Sequence, residues 1–311
     1  MASNGVGPFR LRPTFSERVW GRRDLRPWYG EEATAGRAQP VGEAWLTGPE
    51  CAVETGGLAG RTLKEVWGAE EFPLLVKMLF PSDKLSVQVH PDDAQAHAMG
   101  QARGKTECWY VLEAEPGAAV ALGLKEGATA EEVRAAVGDG TLEEWMRWLP
   151  VSAGDMVFVD AGTVHAIGPG VVLLETQQTC DVTFRLYDYG RGRELHLEQG
   201  LAVMKMETRA GKVRAREMDG DGSGFVRLIE ERYFVVDRFE VGTWGEVAVP
   251  ILGAGCFVGL KGRAWVVGGP EGQVEMLPGQ AVVVPADLSA VVVASDAGAS
   301  FVRCFAPKGQ L

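Results

Sequence analysis

The amino-acid sequence predicts a mainly β protein, built from two barrel-like halves with a small helical insertion. Short runs rich in β-branched and aromatic residues, separated by Gly, Pro and Asp, recur along most of the chain. Glycine accounts for 41 of the 311 residues, roughly twice the usual ~7% share, and it shows no collagen-like period. Glycines of this kind suit tight turns between strands, so an all-helical bundle is disfavoured.

The first half of the chain contains the clearest predicted strands. They are LLVKML (74–79), LSVQVH (85–90), CWYVL (108–112), DMVFVD (155–160), VVLLE (171–175) and VTFRLYDY (182–189). Each run is bounded by turn-forming residues, as expected for the strands of a sandwich or barrel.

Residues 129–149 interrupt this β pattern. Thr129 precedes Glu131 and Glu132, a typical helix start, and apolar residues then recur near helical spacing. The Gly-Asp-Gly sequence at 138–140 divides the segment. It is therefore predicted to be a helical insertion, folded as a hairpin of two helices.

A second half follows a change in composition. Residues 209–224 are rich in Gly and charged residues and are predicted to be a linker. Strand-like runs return at Phe225 and continue to residue 311. The predicted division is a first domain at 1–208, a linker at 209–224 and a second domain at 225–311.

One strand-turn-strand pattern occurs twice, as GDMVFVDAGTVH (154–165) and GQAVVVPADLSA (279–290). Both copies resemble the second sequence motif of cupins. The first copy keeps Gly162 and His165, whereas the second has Asp287 and Ala290 at those positions. The resemblance implies two cupin-type jelly-roll β-barrels, of which only the first retains a metal-binding histidine.

Charge and cysteine content restrict the partners and the compartment. The formal net charge of −11 opposes binding to nucleic acid, which requires a basic face. The five cysteines are widely spaced and form no CxxC pair, so a reducing cytoplasm fits best. No long apolar span or leader is evident, so we expect a cytoplasmic protein without membrane contact, monomeric or a small homo-oligomer.

A metal site can be assembled in few ways, because the chain has only four histidines. Gln88 and His90 lie two residues apart on a predicted strand and therefore share one face. Glu107 opens another strand, and His165 ends the strand-turn-strand pattern. Two imidazoles, a carboxylate and an amide oxygen form a set suited to Zn²⁺, with room for a substrate oxygen. The remaining two histidines, at positions 97 and 196, are expected to be structural or exposed to solvent.

Five segments together resemble a known enzyme family. They are PLLVKML (73–79), LSVQVHPDD (85–93), GKTECWYVL (104–112), GTVHAIGPG (162–170) and LETQQTCDVTFRLYDYGR (174–191). In this order they are similar to the short bacterial form of type I mannose-6-phosphate isomerase, a zinc-dependent cupin enzyme. The resemblance implies one zinc ion per chain, held by Gln88, His90, Glu107 and His165, and a second barrel without metal.

The same resemblance surrounds the metal with candidate catalytic and substrate-binding groups. It implies that Lys105, Asp181 and Arg185 are catalytic and that Lys77 lies near the phosphorylated sugar; Ser86 shares the strand face of Gln88 and is expected to line the pocket. In one assignment Asp181 with Arg185 moves the proton while Lys105 polarises a sugar oxygen. In the other, Lys105 transfers the proton itself, with its pKa lowered by burial. The sequence leaves both assignments open.

These observations predict an isomerase that interconverts mannose 6-phosphate and fructose 6-phosphate through an enediol. Two alternatives stay open: a sugar-binding or regulatory cupin without turnover, and a metal-dependent cupin enzyme of other chemistry, such as an iron dioxygenase. The presence of Lys105, Asp181 and Arg185 argues against a degenerate binding protein. Gln88 argues against a dioxygenase, which usually has a histidine in its place.

Overall fold

The computed structural model describes residues 6–68, 71–218, 224–269 and 272–308. Residues 1–5, within the stretch examined for a leader, and residues 219–223 of the predicted linker lie outside the described residues. The elements of the first half are the strands β1 (Phe9–Leu11), β2 (Thr14–Arg22), β3 (Val41–Trp45), β4 (Leu74–Leu79), β5 (Val87–Val89), β6 (Glu107–Ala114), β7 (Ala119–Leu124), β8 (Met146–Pro150), β9 (Met156–Val159), β10 (His165–Ile167), β11 (Val171–Gln178), β12 (Phe184–Tyr187) and β13 (Gly211–Val213), with the helices α1 (Leu63–Trp67), α2 (Asp93–Ala98), α3 (Ala130–Asp139) and α4 (Leu197–Val203).

The rest of the described chain is β structure. Its strands are β14 (Arg216–Met218), β15 (Phe225–Glu230), β16 (Val235–Val241), β17 (Gly245–Pro250), β18 (Gly255–Gly262), β19 (Ala264–Val267), β20 (Gln273–Met276), β21 (Ala281–Val284), β22 (Ala290–Ser295) and β23 (Ala299–Phe305). Three short 3-10 helices, all in the first half, cover Glu31–Ala33, Gly56–Leu58 and Leu142–Trp145.

The strands form four antiparallel sheets, two in each barrel. The first barrel combines a seven-stranded sheet, ordered β13-β9-β6-β11-β4-β3-β2, with a five-stranded sheet, ordered β12-β5-β10-β7-β8. The second barrel combines a seven-stranded sheet, β1-β21-β18-β23-β16-β15-β14, with a four-stranded sheet, β17-β22-β19-β20. The predicted fold class, two cupin-type jelly-roll barrels in a mainly β protein, is confirmed.

The two seven-stranded sheets pack against each other and join the barrels. Side chains alternate along β4, where Val76 and Met78 face this interface and Lys77 and Leu79 face the interior of the first barrel. The second sheet contributes apolar residues such as Val258 to the same buried cluster. The side chains that enter the first barrel from its seven-stranded sheet are therefore backed by the core between the halves.

The repeated strand-turn-strand pattern has the same topology in both halves. The first copy spans β9 and β10, which belong to the large and the small sheet of the first barrel. The second copy spans β21 and β22, which belong to the large and the small sheet of the second barrel. In each copy the chain crosses from one sheet to the other, so the sequence repeat corresponds to a structural repeat.

The connection between the halves contains β structure. Within the predicted linker at 209–224, β13 pairs with β9 of the first barrel and β14 pairs with β15 of the second. The strand β1, at the start of the predicted first domain, pairs with β21 in the second barrel. The boundaries at 208 and 225 stay a prediction. Strand pairing does not follow them, because β13 lies after residue 208 but pairs in the first barrel, and β1 lies in the first half but pairs in the second barrel.

The helical insertion differs in part from its prediction. Helix α3 begins after Thr129, whose side chain forms a capping box with Glu132, and ends at Gly140, which has φ +73°. A 3-10 helix follows at Leu142–Trp145, but residues 146–150 form strand β8, paired with β7. The second predicted helix is therefore wrong over residues 146–149, because edge pairing with β7 outweighs the local helical spacing.

Helices in the described ranges are short. None of them combines the length and the apolar character that a membrane-spanning helix needs.

Candidate metal centre and active site

The candidate metal ligands come from three strands that meet at one end of the first barrel. Strand β5 carries Gln88 and leads directly to His90, while β10 begins at His165 in the same five-stranded sheet. Glu107 begins β6 in the facing seven-stranded sheet. The site therefore lies between the two sheets, and the register that pairs His165 with Gln88 fixes two of the ligands side by side.

His90, Glu107 and His165 form a compact buried triad. Their ligand atoms all lie within 4.8 Å of one another, and their exposed fractions are at most 1%. His165 Nε2 lies 3.3 Å from Glu107 Oε1, and His90 Nε2 lies 3.8 Å from Glu107 Oε2. Two imidazole nitrogens and a carboxylate at this spacing can share one metal ion.

Backbone carbonyls orient both imidazoles towards the centre of the triad. His90 Nδ1 donates to the carbonyl of Val182 at 2.9 Å, and His165 Nδ1 donates to the carbonyl of Thr163 at 2.8 Å. Each Nε2 lone pair is thereby directed inwards. Burial lowers the pKa of both rings, to about 4 for His165, so both are neutral and able to bind a cation at neutral pH.

The environment of the Glu107 carboxylate also indicates whether the site suits a metal ion. Both of its oxygens are buried; Lys105 Nζ lies 3.0 Å from Oε2, whereas Oε1 has no hydrogen-bond partner among the described residues. Gln88 Nε2 lies 3.2 Å from His165 Nε2, and a half-turn of the amide would direct its oxygen to the same point. Two neutral imidazoles, a buried carboxylate with one free oxygen among the described residues, and an amide together fit a divalent metal ion.

Lys105 joins the triad to the cavity above it. Its Nζ lies 3.1 Å from His90 Nε2 and 3.0 Å from Glu107 Oε2. Burial alone would lower its pKa, but the carboxylates of Glu107 and Glu175 outweigh burial and raise it. This direction is opposite to the lowered pKa expected in the second catalytic assignment.

A cavity of about 400 Å³ opens directly above Lys105 and Gln88. Six residues expected at the site line it: Lys77, Ser86, Gln88, Lys105, Asp181 and Arg185. The other three, His90, Glu107 and His165, form the triad below. The structure therefore brings together all nine residues proposed from the sequence.

Opposite charges are paired along one wall of the cavity, where Lys77 and Glu175 are buried and Asp181 is exposed. Lys77 Nζ lies 3.0 Å from Asp181 Oδ1 and 3.7 Å from Glu175 Oε2, over the ring of Trp45. Burial raises the pKa of Glu175 to about 7. Burial also opposes ionisation of Asp181, but Lys77 and Lys105 lower its pKa overall. The raised pKa makes Glu175 a candidate for proton exchange near neutral pH.

Arg185 follows Asp181 by four residues and lies on strand β12. This strand is shorter than the predicted strand at 182–189, and Asp181 lies before it. Both side chains still line the cavity. Arg185 Nη1 donates to the carbonyl of Glu194, while its buried Nε has no partner within the described part of the chain. A donor of this kind is available to an oxygen of a bound ligand.

Sequence reasoning missed five charged residues that line the same cavity: Glu17, Arg18, Glu43, Glu175 and Arg193. Glu175 interrupts the apolar run VVLLE and faces Lys77 directly in the sheet register, a signal that the sequence contained. Arg18 holds Glu43 through two hydrogen bonds of 3.2 and 2.9 Å. No sequence motif marked this pair or Arg193. Arg193 reaches the cavity only because the barrel closes.

The other two histidines lie outside the triad. His97 Nε2 contacts the carbonyl of Ala102 at 2.7 Å, on helix α2. His196 Nδ1 accepts from the backbone N–H of Arg185 at 3.2 Å. Both therefore have structural contacts, in agreement with their expected role.

Comparison with known proteins agrees with this geometry. Residues 8–128 match the family described as phosphomannose isomerase type I, catalytic domain. The chain is 35% identical over 256 residues to the mannose-6-phosphate isomerase ManA of Bacillus subtilis, covering 75% of this chain and 79% of that protein. It is 34% identical over 254 residues to the mannose-6-phosphate isomerase of Streptococcus mutans, with the same coverage of each chain.

Solved structures lead to the same result. The crystal structure of the mannose 6-phosphate isomerase from Bacillus subtilis matches with a TM-score of 0.83 and 25% sequence identity. The match covers 96% of this chain and 99% of that one. The fold of both barrels is therefore shared with that enzyme. Together with the sequence relatives, this shows that the chain belongs to the type I mannose-6-phosphate isomerase family.

Proposed function

We propose that this protein is a zinc-dependent aldose–ketose isomerase that interconverts mannose 6-phosphate and fructose 6-phosphate through an enediol intermediate. One observation carries the proposal: a single cavity joins a metal-binding triad to lysine, arginine and carboxylate side chains through Lys105. The mannose-6-phosphate isomerases named above, with about a third of their residues identical, support the choice of substrate.

The proposed zinc ligands are Gln88, His90, Glu107 and His165. Their nitrogen and oxygen atoms, without a thiolate, are typical of a catalytic zinc site that keeps a position for substrate. When bound, Zn²⁺ supplies positive charge that polarises the sugar oxygens and stabilises the negative charge of an enediolate.

Proton transfer between C2 of the aldose and C1 of the ketose requires a base and an acid at the cavity wall. The raised pKa of Lys105 supports its role as a cation that donates hydrogen bonds to a sugar oxygen. Asp181 and Arg185 then move the proton in our preferred assignment. Glu175, whose pKa is raised to about 7, is a further candidate base in the same wall.

The phosphorylated end of the sugar needs donors in a protein that is acidic overall. Arg185 has an unpartnered buried Nε among the described residues, and guanidinium groups bind oxyanions through paired donors. Lys77 and Ser86 line the same cavity and are proposed to contact the sugar or its phosphate. Local positive charge of this kind selects a small anion without attracting a polyanion.

A coupled assay of mannose 6-phosphate conversion tests the proposal. Activity should be lost on chelation and return with stoichiometric Zn²⁺, because the metal ion would supply the positive charge that polarises the sugar oxygens. His165→Ala should lose metal and activity together. Arg185→Ala should retain the metal but lose activity by roughly 100-fold or more, the scale at which removal of a transition-state donor acts.

Three outcomes would contradict the proposal. A folded, zinc-loaded protein without activity on mannose 6-phosphate would refute the substrate. Stoichiometric iron with oxygen uptake would favour the dioxygenase alternative. Retention of sugar binding without turnover would favour the regulatory alternative.

The compartment is proposed to be the cytoplasm. The five cysteines are free and four of them are buried, as is typical of a reducing environment.

A further inference from the structure

The carboxylate of Asp93 connects the two loops that carry the candidate metal ligands. It follows His90 by three residues, at the first position of α2. Its Oδ1 accepts from the backbone N–H of Gly104 at 2.9 Å, and also from Gln178 Nε2 at 2.9 Å. One carboxylate oxygen therefore binds the loop before Glu107 and the end of strand β11.

Gln178 extends this contact to the residue between Lys105 and Glu107. Its Oε1 accepts from the backbone N–H of Thr106 at 2.9 Å, and its own N–H donates to the carbonyl of Thr106 at 3.2 Å. The peptide groups on either side of Thr106 are thus held by a single glutamine. This fixes the direction in which Glu107 leaves the backbone.

Close packing leaves little freedom between the two loops. Lys105 N–H donates to the carbonyl of Pro91 at 2.9 Å. A Cβ atom on Gly104 would lie 2.5 Å from the carbonyl carbon of Asp92 and 2.6 Å from the nitrogen of Asp93. The backbone of Gly104 therefore lies directly against the segment that follows His90.

The second barrel supplies the remaining partner of Asp93. Tyr233, in the turn between β15 and β16, donates its hydroxyl to Asp93 Oδ2 at 2.6 Å. Burial tends to raise the pKa of Asp93, but the bonds from Tyr233, Gly104 and Gln178 lower it, so the carboxylate is ionised at neutral pH. The bond from Tyr233 is therefore charge-assisted.

We propose that Asp93 and Tyr233 are positioning residues for the metal centre, and that the second barrel holds Glu107 in its ligating position through the chain Tyr233–Asp93–Gln178–Thr106. This assigns the metal-free barrel a direct part in the site. The proposal rests on the proposed metal site, and a measurement of metal binding without substrate separates it from the choice of substrate.

The test compares the full-length variants Tyr233→Phe and Asp93→Asn with the parent protein. Zn²⁺ affinity is measured by competition with a chromophoric chelator, with the thermal midpoint of each metal-free protein alongside. Outer contacts to ligands typically alter metal affinity by roughly 10–100-fold when removed. We expect the Zn²⁺ dissociation constant to rise by about 10-fold in Asp93→Asn and by a smaller factor in Tyr233→Phe. With zinc saturating, kcat should fall while KM changes less than about twofold.

Tyr29→Phe is the matched control. Tyr29 Oη donates to the carbonyl of Gly279 at 2.7 Å and lies 3.5 Å from Met78 Sδ, so it also links the two halves through a tyrosine hydroxyl. Among the described residues its hydroxyl has no hydrogen bond to the ligand loops. Its Zn²⁺ affinity should equal that of the parent protein.

Two results would overturn the proposal. One is unchanged Zn²⁺ affinity in both test variants, with a lower thermal midpoint, since that pattern indicates a structural role alone. The other is an equal loss of affinity in Tyr29→Phe and Tyr233→Phe. A parent protein that binds Zn²⁺ but does not convert mannose 6-phosphate would refute the proposed substrate and leave the positioning role to be decided by the affinities.

Discussion

Two lysines and two glutamates lie almost fully buried inside the first barrel: Lys77, Lys105, Glu107 and Glu175. A buried charge costs several kcal/mol unless an opposite charge compensates it. Lys105 lies 3.0 Å from Glu107, and Lys77 lies 3.0 Å from Asp181. Each lysine therefore depends on a carboxylate that also belongs to the site, and stability and chemistry cannot be changed independently here.

The first prediction concerns Glu107→Gln. The substitution should raise the Zn²⁺ dissociation constant by roughly 100-fold or more, because it removes the anionic ligand. It should also destabilise the metal-free protein by about 3 kcal/mol, since Lys105 loses a buried counter-charge. Chelator competition and urea unfolding measure the two effects. Glu198→Gln, which breaks the exposed pair with Arg134, is the control and should change neither.

The second prediction concerns pH. Burial raises the pKa of Glu175 from 4.5 to about 7, so the folded protein binds a proton that the unfolded chain has already released. This contribution to the stability of the metal-free protein is complete below pH 4.5 and is lost as the pH rises through 7. Between pH 5 and pH 8, the free energy of unfolding of the parent protein should fall by roughly 2–3 kcal/mol more than that of Glu175→Gln. Equal pH slopes in urea unfolding would contradict this assignment.

At the residue scale, the sequence predicted the residues that the structure brings together at the candidate metal site, because they occur in short local motifs. Gln88 and His90 share a strand face, and Lys105 and Glu107 share another. Arg18 and Arg193 could not be found in this way. They reach the cavity only because distant strands close the barrel, and no local pattern encodes that closure.

Alternation along individual strands decides which side chains serve chemistry and which serve packing. On β6, Glu107 and Trp109 face the barrel interior, whereas Cys108 and Tyr110 face the core between the halves. On β11, Glu175 faces the barrel interior, whereas Leu174 faces the core between the halves. A shift of one residue in register would exchange the two sets, so the core between the barrels fixes the orientation of the site.

The third prediction concerns the cap of helix α3. Thr129 accepts a hydrogen bond from the backbone of Glu132, so Thr129→Ala should destabilise the protein by about 1 kcal/mol. Activity should remain unchanged, because α3 packs outside the barrel. Thr129→Ser keeps the accepting oxygen and should recover most of the lost stability in urea unfolding. A loss of activity in Thr129→Ala would show that the insertion acts on the site.

At the element scale, the composition of short segments predicted where the strands occur, but the prediction of one element was wrong. Residues 146–149 have helical spacing in the sequence, yet they pair with β7 at the edge of the five-stranded sheet. Sheet pairing is a tertiary effect, and it overrides a local preference of this size. The β4 run at 74–79, by contrast, matches its predicted bounds because both of its faces are buried.

The whole molecule consists of two barrels joined through their largest sheets. The repeat in the sequence predicted the two barrels, and the absence of the histidine at Ala290 predicted which of them contains the candidate metal site. The crossing strands could not be predicted. β1, β13 and β14 are only three residues long, and their sheet is chosen by packing between the halves.

The fourth prediction concerns the independence of the first barrel. A chain that ends at residue 214 would expose one whole face of its seven-stranded sheet, including Val76, Met78, Tyr110 and Leu174. Apolar patches of this size promote association, so the shortened chain should aggregate or bind a hydrophobic dye in size-exclusion and fluorescence experiments. The full-length protein prepared in parallel is the control. A monomeric shortened chain that unfolds cooperatively would contradict the prediction.

The pairing of β1 with β21 also orders events during synthesis on the ribosome. Leu11 pairs with Ala281, which is translated 270 residues later. At ~5–20 residues per second, the first strand waits for its partner on the order of tens of seconds. The strands of the first barrel, β2 to β13, are all available before that time. The nascent chain therefore carries an unpaired strand beside a barrel whose apolar face is still uncovered, and chaperone binding is most needed in this interval.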